Sequence, residues 1–302
     1  MKDREVNFYE GVAHMKKIGF IGTGVMGSAI VKHLLAAGYQ VAVYNRTKSK
    51  TDDLVELGAV WQESPASVAA NSDIVFTMVG YPSDVEETYY GTQGIFQTDV
   101  SGKLLIDMTT STPSLAEKIY HSAKELHADS LDAPVSGGDL GAKNGTLTIM
   151  VGGDEAVYQS VVPIFDVFGS KVNLQGAAGA GQHTKMANQI MIAGTMTGMT
   201  ELLVYAKAAG LDVEKVIDTV GGGSAANWSL TNYSPRILRQ DYTPGFFVKH
   251  FVKDLTIALA EAEKMAIELP ATKLARDLYE KLIDNGHGDD GTQALIKLWW
   301  HD

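Results

Sequence analysis

Lys17-Ile18-Gly19-Phe20-Ile21-Gly22-Thr23-Gly24-Val25-Met26-Gly27 reads as a strand that runs into a glycine-rich turn and out into a helix. The glycines at 22, 24 and 27 fit the G-x-G-x-x-G spacing. In that pattern the first glycine permits a tight turn, the second lets a pyrophosphate approach the backbone, and the third lets helix and strand pack closely. The N–H groups of a helix start and the helix dipole favour a bound phosphate. The spacing alone is weak, but its context agrees. Ile18 to Ile21 is apolar, Met26, Ile30, Leu34 and Leu35 recur at helical spacing, and a second strand, Gln40 to Tyr44, ends about 20 residues downstream. The whole turn, Gly22, Thr23, Gly24, Val25, Met26 and Gly27, is therefore a candidate dinucleotide-phosphate site.

The chain has 302 residues, enough for a large core and about two domains. Its net charge of −11 argues against a nucleic-acid partner. The absence of cysteine excludes disulfides, thiolate chemistry and Cys-based metal sites, and suits the cytosol. Residues 1–14 lack the apolar core of a signal peptide and read as an N-terminal extension ahead of strand one. Met186 to Thr200 is uncharged but interrupted by Gly and Thr, shorter than the ~20 apolar residues of a membrane span. A buried helix is the better reading, and no membrane partner is expected.

Strand and helix signals alternate through the first half. Ile74 to Val79, Leu104 to Met108, Leu131 to Val135 and Thr146 to Val151 are strand candidates, and Thr112-Pro113 is a helix cap with proline at the first helical position. Such alternation predicts an α/β fold with a mainly parallel, doubly wound sheet. After Gly176-Ala177-Ala178-Gly179-Ala180-Gly181 the pattern turns helical, with a long helix over about Gln182 to Ala209. The expected domains are a dinucleotide-binding domain, 15–178, and an all-α domain, 179–302, linked by that helix.

Candidate residues cluster where strands end. Asn45, Arg46 and Thr47 close strand two, where an Asp or Glu would read the ribose of NAD. An arginine there suits the 2′-phosphate of NADP instead. Val79 and Thr110 follow the carboxyl ends of two strands, the edge where ligands of open α/β sheets bind. Ser136, Gly137 and Gly138 offer a hydroxyl and bare backbone N–H groups, either a carboxylate cradle or a plain turn. Lys185 and Asn188 share a face of the long helix; a lysine on so apolar a face snorkels to water or is functional. Lys253-Asp254 alone reads as a surface pair.

Taken together, these motifs resemble the β-hydroxyacid dehydrogenase family. The matches run in order: Gly19 to Gly27, Asp132 to Gly138, Gly179-Ala180-Gly181 with Lys185 and Asn188, and Lys253-Asp254-Leu255. The resemblance implies a Rossmann domain followed by an all-helical domain that takes part in a homodimer or homotetramer. It implies Lys185 as general acid/base, Asn188 as its orienting partner, and Ser136, Gly137 and Gly138 as the substrate's carboxylate site. It further implies Val79, Thr110 and Lys253 as cofactor contacts. No metal is implied. The expected reaction is hydride transfer between NADP and a small 3-hydroxy acid or its semialdehyde, of the 3-hydroxyisobutyrate, tartronate or succinic semialdehyde, or glyoxylate class. An NAD-dependent member and a non-catalytic dinucleotide-binding module are the alternatives; the latter has no reason to keep Lys185 with Asn188. Gln189 stands where many members carry a second Asn, so an altered substrate pocket is expected.

Overall fold

A computed structural model describes residues 16–300. The expected extension, 1–14, lies outside the described residues. The chain divides into two compact units, Met1–Lys185 and Met186–Asp302.

The first unit alternates strand and helix. It begins with β1 (Ile18–Ile21), α1 (Val25–Ala36), β2 (Val41–Tyr44), α2 (Asp52–Glu56), β3 (Val60–Trp61), α3 (Pro65–Ala70), β4 (Ile74–Thr77) and α4 (Pro82–Tyr90). It continues with β5 (Leu104–Asp107), α5 (Pro113–Glu125), β6 (Asp129–Asp132), β7 (Val135–Ser136), α6 (Gly138–Asn144), β8 (Leu147–Gly152), α7 (Glu155–Phe165) and β9 (Gly169–Gly176). Strand order is β3-β2-β1-β4-β5-β6-β8-β7, with β9 also paired to β8. From β3 to β6 every pairing is parallel. The chain leaves β1 toward β3 and returns to β4 on the other side of β1, which makes β1/β4 the switch point of the sheet.

Side chains alternate across the pleat. Ile18, Phe20, Ile74, Phe76 and Ile106 join α1 and α7 in one core, where Phe76 packs edge-on to Phe165 and Phe168. Ile21, Val75 and Leu105 join α3, α4 and α5 in the other. A layer of helices on each face is what a parallel sheet with near-continuous apolar strands requires. The Thr112 cap forms as expected: its hydroxyl accepts from Leu115 N, with Pro113 opening α5.

One expected strand is broken in two, while the ends of the others move by a residue or two. Leu131–Val135 is not one strand: Ala133-Pro134 separates β6 from β7, because proline has no N–H for the ladder. β7 pairs antiparallel with β8, so the far end of the sheet is not parallel throughout.

α8 (Ala180–Ala208) begins in the first unit and runs into the second, which adds α9 (Val213–Gly221), α10 (Trp228–Leu238), α11 (Val248–Lys264) and α12 (Pro270–Asp284). Met196, Met199 and Leu203 of α8 pack with Leu230, Phe251, Leu255 and Tyr279. The Met186–Thr200 segment is buried on one side only: Met191 is 67% exposed, on a groove it shares with Gly194, Gly198 and Leu230. Lys253, expected near a helix start, lies in the second turn of α11. No helix of the described residues is long and apolar enough to cross a membrane.

Candidate active site

The sheet order places the ends of β1, β4, β5 and β6 side by side. The loops that follow carry the glycine turn, Val79, Thr110 and the 133–138 segment.

The three glycines of the turn have different reasons to be glycine. Gly22 adopts φ +100, and a Cβ there would meet Met78 O at 2.1 Å. At Gly27 a Cβ would lie 2.0 Å from Gly22 O. Gly24 has φ −71 and open space around the Cβ position, so nothing in the protein demands glycine. The open space there is what a ligand backed against the main chain would need. No side chain caps the first turn of α1 and no acidic residue stands in it, which leaves its N–H groups to an external anion. The residues present therefore fit a dinucleotide phosphate. Gly24→Ala is expected to leave Tm nearly unchanged and to weaken binding of a nicotinamide dinucleotide about tenfold or more, as a lost close approach would. Gly27→Ala should instead lower Tm sharply. Thermal melts without ligand and with NADH or NADPH check both, and equal Tm losses would refute the distinction.

Thr23 is 3% exposed: its hydroxyl donates to Lys50 O and its N–H donates to Asn45 Oδ1 at 3.1 Å. Asn45 also donates to Thr47 O. These two expected ligand contacts thus brace the turn against the loop after β2. Val25 is 65% exposed and Met26 half-buried. Arg46 points outward, 86% exposed, 3.3 Å from Asp84 Oδ1, while Thr47 is exposed and precedes a short 3-10 turn. Val79 N donates to Thr109 Oγ1 at 3.0 Å, and the adjoining Thr110 is half-buried.

A buried network holds Lys185. Asp132 ends β6 and accepts from Gly179 N and Gln182 N, each at 2.8 Å, at the start of α8. Burial pushes its carboxyl pKa up, and these backbone bonds oppose that rise. Gln182 is fully buried; it accepts from Ser111 N at 3.0 Å and donates to Thr109 O at 2.7 Å. One turn on, Lys185 is 7% exposed and donates from Nζ to Val135 O at 2.8 Å. That carbonyl adjoins Ser136, Gly137 and Gly138, whose glycines have φ +125 and +63. Ser136 is half-buried and Gly137 exposed. The ammonium and the cradle are therefore neighbours, as the spacing alone could not show. His183 is exposed on another side of the helix.

In the second unit, Asn188 Nδ2 donates to Gln189 Oε1 at 2.7 Å, and Gln189 Nε2 donates to Asp254 Oδ2 at 2.7 Å. Asp254 Oδ1 lies 3.1 Å from Lys253 Nζ. Gln189 is 3% exposed, so the expected change at this position is to a buried link rather than an open pocket wall. Lys253-Asp254 is likewise no surface pair, with side chains 12% and 1% exposed. His250, one turn before Lys253, has its pKa lowered by burial and then by the Lys253 ammonium.

Residues 17–176 match the family model for the NAD binding domain of 6-phosphogluconate dehydrogenase. Residues 179–299 match the model described as NAD-binding of NADP-dependent 3-hydroxyisobutyrate dehydrogenase. Among relatives, a probable 3-hydroxyisobutyrate dehydrogenase-like protein of Arabidopsis thaliana is 52% identical over 93% of this chain and 84% of its own length. The 2-hydroxy-3-oxopropionate reductase of Escherichia coli is 38% identical over 93% and 96%. A solved Mycobacterium tuberculosis 3-hydroxyisobutyrate dehydrogenase with L-serine superposes with a TM-score of 0.86 at 28% identity, covering 95% of this chain and 100% of that one.

Proposed function

The chain belongs to the β-hydroxyacid dehydrogenase family and is an NAD(P)-dependent hydroxyacid oxidoreductase; on that premise we propose that it uses NADP to interconvert a small 3-hydroxy acid and its semialdehyde. The observation that carries this reading is the buried Lys185 ammonium, held at Val135 O beside Ser136-Gly137-Gly138. The Ser136 hydroxyl and the N–H groups of Gly137 and Gly138 bind the substrate carboxylate, which brings the reacting carbonyl toward Lys185. A bound nicotinamide supplies the hydride to the carbonyl carbon, or accepts it in oxidation. Lys185 Nζ gives its proton to the carbonyl oxygen as negative charge develops there, and takes it back in the reverse direction. The family resemblance gives Asn188 the role of orienting the substrate, and Val79, Thr110 and Lys253 roles in cofactor binding. Turnover of a panel of short semialdehydes, including 2-hydroxy-3-oxopropionate, with NADPH tests the reaction class; folded protein inert toward all of them would refute it.

The preference for NADP rests on Arg46, with no acid among residues 44–48. Its guanidinium is exposed and, among the described residues, is tied to Asp84 alone at 3.3 Å, so a 2′-phosphate can take it over. Arg46→Ala is expected to raise the Kd for NADPH about tenfold and leave that for NADH unchanged. Fluorescence titrations with both cofactors decide, and equal effects on the two would favour the NAD-dependent reading.

A further inference from the structure

We propose that Gln189 is a positioning residue that fixes which end of the Asn188 amide faces the reaction. The inference rests on the reading above that Asn188 takes part in turnover. An amide side chain has nearly the same shape either way round, yet turning it exchanges two donors for an acceptor. Something must choose. An ionised carboxylate only accepts, so Asp254 Oδ2 can be satisfied by Gln189 only through Nε2–H, the arrangement found at 2.7 Å. That turns the Gln189 carbonyl toward Asn188, and a carbonyl also only accepts. Asn188 must then offer Nδ2–H, again as found at 2.7 Å. The Asn188 carbonyl oxygen remains to meet a donor, such as the hydroxyl of a hydroxy acid or an ammonium. The charge that sets this polarity stands beside the Lys253 ammonium, whose Nζ lies 3.1 Å from the other carboxylate oxygen.

Burial makes the relay strict. Gln189 and Asp254 are 3% and 1% exposed, so a reversed amide would press two acceptors together with little access to water. Gln189 thus acts on the substrate without touching it.

A double-mutant cycle on the full chain tests this, using the semialdehyde of the panel above that turns over fastest. Gln189→Met keeps length and removes both hydrogen bonds. It is expected to lower kcat about tenfold, with KM and NADPH Kd within about twofold. In the Asn188→Ala background the same change should cost less than about twofold, because its effect passes through Asn188. A purely structural role predicts equal losses in both backgrounds and would overturn the relay, as would wild-type kcat in Gln189→Met. Wild-type turnover in Asn188→Ala would instead overturn the parent assignment, and the relay with it. A readout without substrate covers failure of the Met variant to fold. The Asn188 side-chain 1H–15N signal, assigned by its loss in Asn188→Ala, should shift in Asp254→Asn. An unmoved signal would refute the coupling.

Discussion

Lys185→Ala is expected to lower kcat about 10²- to 10⁴-fold, the range of a positioned general acid/base, while NADPH binding is kept. The side chain lies against β7, where its Nζ donates to Val135 O. Its loss leaves that carbonyl without the ammonium, at a cost of about 1–3 kcal/mol. A domain with about 5–15 kcal/mol of stability remains folded. Single-turnover rates and NADPH titration of the variant measure the two effects separately. A kcat within a few-fold of wild type would remove Lys185 from proton transfer.

Asp132→Ala should be the most damaging change that touches no reacting atom. It strips two buried N–H groups, Gly179 and Gln182, of their acceptor. Each orphaned donor costs about 1–3 kcal/mol, so a Tm loss on the order of 10 °C is expected. The same bonds anchor the first turn of α8, and Lys185 follows one turn later. A shift of about 1 Å there costs about 10²-fold in rate. Loss of Tm without loss of kcat would show that α8 has another anchor. The pH dependence has a definite sign. Burial raises the Asp132 pKa above the ordinary 3.8, so the folded state binds the proton more tightly than the unfolded chain. The group's stabilising contribution is full below the unfolded value and falls as pH rises through the folded one. The Tm difference between wild type and Asp132→Ala should therefore narrow as pH rises from about 4 toward neutrality. A difference that widens over that range would contradict the raised pKa.

The parts of the molecule legible in sequence are those whose cause is local. Gly22 announces a turn through its own positive φ, Gly27 a close packing on the nearby Gly22, and Thr112-Pro113 forms the cap its spelling predicts. The alternation of strand and helix follows from apolar runs and needs no tertiary knowledge. Proline within Leu131–Val135 was the available signal that this run breaks. Other features have no local sign. Asp132 reads as the end of a strand, and its two donors come 47 and 50 residues later. Gln182 reads as one more polar helix residue, yet it is fully buried and holds the loop after β5. Lys253-Asp254 looks like a solvated pair until α11 buries it. The resemblance marks Lys185, Asn188 and Lys253 as important, but the Gln189–Asp254 link between two of them exists only in the folded chain.

The two open margins of the sheet also bear on how the protein behaves at high concentration. β3 is two residues long, too short to template a neighbour. β9 is longer, but it carries Lys171 and its register with β8 shifts twice. Short strands, an edge lysine and bulges are the devices that block strand-on-strand addition between molecules. The sheet is thus guarded, among the described residues, against the edge pairing that leads to aggregation.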